Sequence, residues 1–116
     1  MTQEQKDLLL KDFCARLPYN PLVEYKGESY NILGIAHGRL VLCKPFMSYT
    51  LNEYPLVEEV KPYLFPISSM TEEQDKEFMN IQIGYPSVDW FVKNHFDYRG
   101  LIPMGLAIDA TGLNIY

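Results

Sequence analysis

The alternation of apolar and polar positions predicts a helix over residues 2–16, at the start of the chain. Apolar side chains recur there at three- and four-residue spacing, which is typical of a helix that buries one face. Thr2 and Gln5 have the spacing of a capping box, in which two side chains satisfy the first free backbone N–H groups. Pro18 and Pro21 follow, and proline favours a helix end. The expected apolar stripe consists of Leu9, Leu10, Phe13, Cys14 and Leu17.

The middle of the chain changes to the pattern of strands. The runs LVEYK, SYNILGIA and RLVLCK predict three antiparallel strands, separated by turns that contain glycine. Gly34 inside the second run indicates a β-bulge or a close approach of another part of the chain. We expect a fourth strand over residues 57–60, at a sheet edge because Pro55 and Pro62 flank it. The following stretch KPYLFPISSM is expected to be a loop bounded by prolines.

Helical patterns return in the last third of the chain. Thr71 and Gln74 repeat the capping-box spacing and predict a second helix that ends near Gly84. A third helix is expected over residues 87–95, followed by a short turn capped by Asp97. The predicted fold class is therefore α+β: an N-terminal helix, a small antiparallel meander of three or four strands that could curl like a barrel, and two or three C-terminal helices.

Composition and charge narrow the classes of protein. With 116 residues and 47% hydrophobic residues, residues 1–116 should form a single domain with an ordinary core. The net charge is −5, and the ten basic residues form no run, so a nucleic-acid partner is not expected. No apolar stretch is long enough for a membrane span, and the first residues lack the pattern of a signal peptide. We therefore expect a cytoplasmic protein without a membrane partner.

No motif in the chain predicts a cofactor or a metal. The glycine spacings match neither a phosphate-binding loop nor a dinucleotide fingerprint. Cys14 and Cys43 are expected to be buried free thiols, because two isolated cysteines make neither a zinc site nor a disulfide framework. His37 and His95 are the only histidines, so a metal site would need a tertiary coincidence. We expect no cofactor and no metal.

The stretch HFDYR, residues 95–99, contains the strongest catalytic candidates. His95 could act as a general base, Asp97 could orient it, Arg99 could hold an anion and Tyr98 could donate a proton. In the alternative structural interpretation, Asp97 caps a turn and His95 lies at a helix end that favours positive charge. Tyr98 then buries its ring and Arg99 pairs with a carboxylate. The spacing favours the structural interpretation, and no catalytic residue is assigned.

Tyrosines in the strand region are candidates for an interaction surface. Tyr25, Tyr30, Tyr49 and Tyr54 lie in or beside the predicted strands, and tyrosine is favoured at protein interfaces. Tyrosines at the rim of a small core are the alternative, and stacking on nucleic-acid bases is a further one. The acidic charge disfavours stacking on nucleic acid.

Three stretches of the chain resemble a family of small proteins of prophages and phage-like elements in gut bacteria. They are MTQEQKDLLLKDFCARLPY, EEVKPYLFPISSMTEEQ and HFDYRGLIPMGLAIDATGLNIY, which together cover about half of the chain. The resemblance implies a bacterial or phage origin and a cytoplasmic location. It implies no activity, cofactor or catalytic residue, because no activity is established for the family.

These observations predict a small phage-type accessory protein that binds another protein, of the host or the phage, without catalysing a reaction. A nucleic-acid-associated regulator is the first alternative. A small enzyme that uses His95, Asp97 and Arg99 is the second. A homodimer is a further expectation, with the edge strand near Val57 as its seam.

Overall fold

The N-terminal helix begins where the capping box predicts. The structure is a computed structural model that describes residues 1–45, 50–81 and 87–116. Helix α1 spans Gln3–Arg16. The Thr2 hydroxyl accepts the N–H of Gln5 at 3.1 Å, and the Gln5 side chain accepts the N–H of Thr2 at 3.0 Å. Both bonds of the predicted capping box are therefore present.

Three antiparallel strands follow as a meander: β1 (Leu22–Tyr25), β2 (Glu28–Ala36) and β3 (Arg39–Cys43). Lys26 and Gly27 form the loop between β1 and β2, which is one of the predicted turns that contain glycine. Both have positive φ, 51° and 81°, as expected of a two-residue hairpin turn. Lysine rarely adopts this conformation, so the turn carries some backbone strain.

The predicted bulge in β2 is confirmed. The pairing of β2 with β3 shifts between Ile32 and Gly34, which leaves Leu33 as the additional residue. Leu33 is exposed. A bulge increases the local twist of the strands that carry it, so this end of the sheet turns away from a flat surface.

The sheet has five strands in the order β3-β2-β1-β4-β5 and is not closed into a barrel. Strand β4 spans Lys61–Leu64, within the stretch that we expected to be a loop. Strand β5 (Ile108–Asp109) pairs with β4 in parallel, so the sheet is mixed. The prediction of a loop at β4 was wrong because it rested on the prolines. The strand is short, and Val23 pairs with Pro62 without a hydrogen bond from a proline N–H.

Residues 57–60 do not form the predicted strand. Val57–Glu59 is a short 3-10 helix, and Val57 is buried. The outer edge of β3 is covered instead by residues 50–56, which follow it in the chain, through bonds from Leu40 N–H to the Pro55 carbonyl and from Leu51 N–H to the Leu42 carbonyl, both 2.8 Å. The expected edge strand at Val57 is therefore wrong, and with it the reason for placing a dimer seam there. The homodimer itself stays a prediction.

Two helices occupy the C-terminal part of the chain, α2 (Glu72–Ile81) and α3 (Ser87–Lys93). The second predicted capping box is present, since Thr71 and Gln74 exchange side-chain bonds with each other's N–H groups at 2.9 and 3.2 Å. The predicted end of α2 at Gly84 lies outside the described residues. Within the part of the chain that is described, no helix is long and apolar enough to cross a membrane.

One hydrophobic cluster joins α1, the sheet and the segment after α3. On the core side, Val23 of β1 lies opposite Tyr30 of β2, and both are buried. Successive strand residues point to opposite faces, so Leu22 and Asn31 lie on the outer face. The predicted α+β class is confirmed. The cluster comprises Leu9, Phe13, Val23, Tyr25, Tyr30, Ile32, Leu40, Leu42, Val57, Val60, Leu64, Leu101, Leu106 and Ala107.

Candidate functional site

Helix α1 carries a buried ion pair that the sequence analysis missed. Asp12 and Arg16 have side chains that are 0% exposed, and Arg16 Nε donates to Asp12 Oδ2 at 2.8 Å. Arg99 Nε donates to the other oxygen of Asp12 at 3.2 Å. Asp12 and Arg16 have the helical spacing that places them on the buried face of α1 with Leu9 and Phe13, and this spacing could have indicated the pair. Polar residues at core positions of an amphipathic helix indicate a buried pair.

Arg16 connects this pair to the HFDYR segment, residues 95–99. Its Nη2 donates to the Phe96 carbonyl at 2.6 Å. Among the described residues, neither Nη1 of Arg16 nor Nδ1 of His95 has a hydrogen-bond partner, although both atoms are buried. Removing a charge from water is costly unless it is paired, so Arg16 depends on Asp12 and the carbonyl for its place in the core.

The backbone of His95 closes the C-terminus of α3. The N–H of Phe96 donates to the Phe91 carbonyl at 2.8 Å, and the N–H of His95 donates to the Val92 carbonyl at 3.2 Å. These two bonds form a Schellman motif, with His95 at the left-handed position and φ at 63°. Glycine usually occupies that position, because a Cβ atom is disfavoured there.

The imidazole of His95 is held neutral. Its ring stacks on the Tyr116 ring, with the centroids 3.7 Å apart and the planes 13° apart. Burial, and then the charge of Arg16, lower the pKa of His95 from 6.5 to about 4. The expectation that the helix end favours a positive charge on His95 is therefore wrong, because these two effects act against protonation.

Asp97 caps the turn that follows α3, as the structural interpretation expects. Its Oδ1 accepts the N–H of Leu101 at 2.8 Å, and its Oδ2 accepts the N–H of Ile102 at 2.9 Å. Both carboxylate oxygens are therefore bound to backbone groups. No hydrogen bond joins Asp97 to His95 among the described residues, so the geometry does not show the orienting contact that a catalytic pair would need.

Tyr98 and Arg99 contact each other and further groups outside the HFDYR segment. The Arg99 guanidinium lies 4.4 Å from the centre of the Tyr98 ring, and that ring stacks on Phe91 with centroids 6.3 Å apart. Arg99 is also bound to Asp12. The four candidate side chains thus have different partners. The arrangement can tie α1 to α3, but it does not bring a base, a proton donor and an anion site around one point.

The metal-ligand candidates do not come together. Cys14 is exposed, which contradicts its predicted burial, whereas Cys43 is buried in β3. Over residues 1–45, 50–81 and 87–116, no three His, Cys, Asp or Glu side chains lie close enough to hold a metal ion.

Only one of the described tyrosine candidates is exposed. Tyr25 and Tyr30 are buried in the core, so the expectation that they present an exposed surface is wrong. The Tyr30 hydroxyl donates to Glu28 at 2.8 Å. Tyr54 is 52% exposed, and Tyr49 lies outside the described residues. Tyr25 and Tyr30 are buried because successive side chains of a strand point to opposite faces, and both tyrosines fall on the core face.

Tyr116 inserts its hydroxyl between two strands. The hydroxyl accepts the N–H of Leu22 at 2.9 Å and donates to the Tyr63 carbonyl at 3.0 Å. The pairing of Val23 with Pro62 places Leu22 and Tyr63 at the next position of the β1–β4 ladder. Although 42% of Tyr116 is exposed, burial raises the pKa of its phenol to about 12. The sequence analysis assigned no role to this residue.

Two concave surfaces remain as candidate binding sites. The acidic groove, of about 310 Å³, lies between α2, α3 and the short 3-10 helix before α2. Its lining consists of Ile67, Met70, Thr71, Glu72, Asp75 and Phe91. The outer cleft, of about 660 Å³, lies on the outer face of the sheet. The described residues that line it are Asn20, Leu22, Ser29, Asn31, Pro45, Asn114, Ile115 and Tyr116.

Comparison with known proteins gives no relative from which a function could be transferred. No protein-family model, no curated protein and no solved structure matches the chain. The resemblance to phage and prophage proteins therefore remains a prediction.

Proposed function

We propose that this chain is a small non-enzymatic accessory protein, of phage or prophage type, that acts in the cytoplasm by binding another protein. The acidic groove is the observation that carries the proposal. Ile67 is 43% exposed, and Met70 and Phe91 are half-buried, so apolar surface is available between the helices. Glu72 and Asp75 add two exposed carboxylates to the same groove. Exposed apolar surface rimmed by polar groups is typical of a protein-binding site.

The groove fits a protein segment that combines an apolar side chain with lysine or arginine. Met79 is exposed on α2, four residues after Asp75, so the same side of the helix extends the apolar surface by one turn. Carboxylates at the rim steer a basic partner and favour its orientation. They also repel phosphate groups, which supports a protein partner over a nucleic acid.

The contacts of the HFDYR segment support a non-enzymatic role. Asp97 is bound to two backbone N–H groups, and Arg99 is bound to Asp12. Neither the acidic groove nor the outer cleft is lined by His95 or Tyr98. A catalytic site would require these groups to converge where a substrate can reach them.

Charge reversal in the acidic groove tests the proposal. Glu72 and Glu73 are neighbours in the first turn of α2, and both are exposed, but only Glu72 lines the groove. The wild-type chain, Glu72→Lys and Glu73→Lys are each used to capture proteins from a lysate of a bacterium that carries the gene, followed by quantitative mass spectrometry. We expect a protein that the wild type and Glu73→Lys retain and Glu72→Lys loses.

Two other outcomes would contradict the proposal in different ways. If no protein is enriched by the wild type over the Glu72→Lys variant, the groove is not a protein-binding site. If Tyr54→Ala loses the captured protein while Glu72→Lys retains it, the interaction takes place at Tyr54 and not at the groove. Tyr54 is the exposed member of the predicted tyrosine surface among the described residues.

A further inference from the structure

The outer cleft is a second candidate site, on a different face from the acidic groove. Leu22 and Asn31 lie opposite each other on the outer face of β1 and β2, and Ser29 lies beside them. Residues 114–116 cross this face and form the other wall. The cleft volume of about 660 Å³ falls within the range of small-molecule sites, roughly 300 to 1,000 Å³.

Primary amides dominate the polar lining of the outer cleft. Asn20 and Asn114 are exposed, and neither side chain makes a hydrogen bond to another described residue. Asn31 donates only a long bond of 3.4 Å to the Asn20 carbonyl. Among the residues that the structure describes, no charged side chain lines the cleft. Three amides are therefore placed to bind a ligand without a counter-charge, beside the Ser29 hydroxyl, which donates to the Tyr63 hydroxyl at 3.2 Å.

The backbone holds two of these amides in a particular conformation. Asn20 and Asn114 have φ of 51° and 54°, in the left-handed region that most residues avoid and asparagine tolerates. Both asparagines line the cleft, as does Ile115, which follows the second of them.

The lining selects a class of ligand. A primary amide presents a donor and an acceptor side by side, and a hydroxyl group both donates and accepts, so neighbouring hydroxyls complement such amides. A charged ligand would lose its hydration on binding, and the lining offers no opposite charge to compensate for that cost. A planar base would need an aromatic face, and Tyr116, the aromatic residue of the described lining, already contacts the rings of His95 and Phe65, with centroids 3.7 and 5.8 Å away. The apolar walls formed by Leu22 and Ile115 suit the C–H face of a saturated ring.

We propose that the outer cleft binds a neutral polyhydroxylated ligand of the chemical class of an uncharged sugar, through Asn20, Asn31 and Asn114. This site is independent of the proposed protein-binding groove. Binding places the ligand between the outer face of β1 and β2 and residues 114–116.

Nuclear magnetic resonance titration of the ¹⁵N-labelled chain tests this proposal. The probes are glucose, galactose and N-acetylglucosamine, with glucose 6-phosphate as the charged counterpart and glycerol as a small polyol. We expect at least one neutral sugar to shift the backbone signals of Leu22 and Ser29 and the side-chain amide signals of the three asparagines. Absence of these shifts with all three neutral sugars would overturn the proposal. Equal binding of glucose 6-phosphate or of glycerol would also overturn it, because the site would then select neither charge nor ring.

Variants link the shifts to the amides. Asn20→Gly with Asn114→Gly removes two side chains and keeps positive φ accessible, so the backbone can stay in place. His37→Gly is the matched control, since His37 has φ of 54° in the β2–β3 turn and does not line the cleft. We expect the double variant to weaken binding of the sugar about tenfold or more and His37→Gly to leave it unchanged. Equal affinity for both variants and the wild type would contradict the assignment of the amides.

Discussion

Asp12 is the residue on which the buried guanidinium group of Arg16 depends. It binds Arg16 at 2.8 Å and Arg99 at 3.2 Å, so one carboxylate pairs with two guanidinium groups. Arg16 in turn holds the backbone of Phe96. Removing one partner of a buried pair leaves an uncompensated charge, which is much more destabilising than never having had the pair.

Asp12→Asn should lower the free energy of unfolding by roughly 2–4 kcal/mol, because Arg16 stays buried with a neutral partner. Asp7→Asn is the matched control on the same helix. Asp7 is exposed, and its carboxylate accepts a bond from the Gln3 side chain. We expect less than about 0.5 kcal/mol for that change. Chemical denaturation of both variants measures the difference, and equal costs would show that the buried pair contributes little.

His95 should make stability depend on pH between about 4 and 6.5. Its folded pKa is lowered to about 4 by burial and by Arg16, whereas 6.5 is the ordinary value. Between these values the unfolded chain binds a proton at His95 that the folded chain does not, so stability falls as the pH falls. The loss from this residue reaches at most about 3 kcal/mol and is complete near pH 4.

Comparison of His95→Asn with His37→Asn isolates this contribution. Both histidines have positive φ, which asparagine tolerates, but only His95 is stacked on Tyr116. Denaturation at several pH values should give a flatter profile for His95→Asn than for the wild type, and an unchanged profile for His37→Asn. A wild-type slope that persists in His95→Asn would assign the dependence to other groups.

Tyr116→Phe should loosen the junction between β1 and β4. Without the hydroxyl, the N–H of Leu22 and the carbonyl of Tyr63 each lose a partner, at a cost of about 1–3 kcal/mol. Tyr54→Phe is the control, because the Tyr54 hydroxyl bonds to no described residue. Hydrogen exchange should show a faster exchanging Leu22 amide in Tyr116→Phe only. An unaffected Leu22 amide would mean that the hydroxyl does not protect the ladder.

At the scale of elements, local rules predicted the helices better than the sheet. Both capping boxes form, at Thr2 and at Thr71, since each depends only on residues three positions apart. Strand β4 was missed because its pairing depends on partners far away in sequence, among them Ile108 of β5. Prolines in or beside a segment are therefore weak evidence against a strand, because long-range pairing determines whether the strand forms.

The turn and the bulge of the meander give a matched pair of glycine substitutions. Gly27 has φ of 81°, whereas the φ of Gly34 is not in the left-handed region, and a Cβ at either position meets no atom within 4 Å. Gly27→Ala should therefore cost about 1 kcal/mol through backbone strain alone. Gly34→Ala should be close to neutral. Thermal or chemical unfolding distinguishes the two, and equal effects would contradict the assigned hairpin turn.

The candidate site was harder to predict than the fold. The sequence indicated Asp97 as a cap and Arg99 as the partner of a carboxylate, and both contacts are present. It could not indicate that the carboxylate is Asp12, because 87 residues separate the two. The acidic groove depends likewise on Ile67 and Phe91 meeting in space, which no local pattern shows.

At the scale of the whole molecule, the contacts divide the chain into a braced scaffold and two open surfaces. Residues 95–99 tie α3 to α1 and to β4, through Arg16, Asp12 and the bonds between Phe65 and the backbone of His95 and Asp97. The acidic groove contacts residues 95–99 through Phe91, which stacks on Tyr98, and the outer cleft contacts them through Tyr116, which stacks on His95. The other described lining residues of the two surfaces lie outside residues 95–99. Substitutions in the brace should therefore change stability, and substitutions in the groove should change binding.

The affinity of the captured partner for the Glu72→Lys and Glu73→Lys variants tests the central claim most directly. Calorimetry on the purified pair gives the dissociation constant for each variant and for the wild type at equal ionic strength. We predict that Glu72→Lys weakens binding about tenfold, equivalent to about 1.4 kcal/mol, and that Glu73→Lys changes it by less than about twofold. Equal affinities for the two variants would contradict the claim that the acidic groove binds the partner.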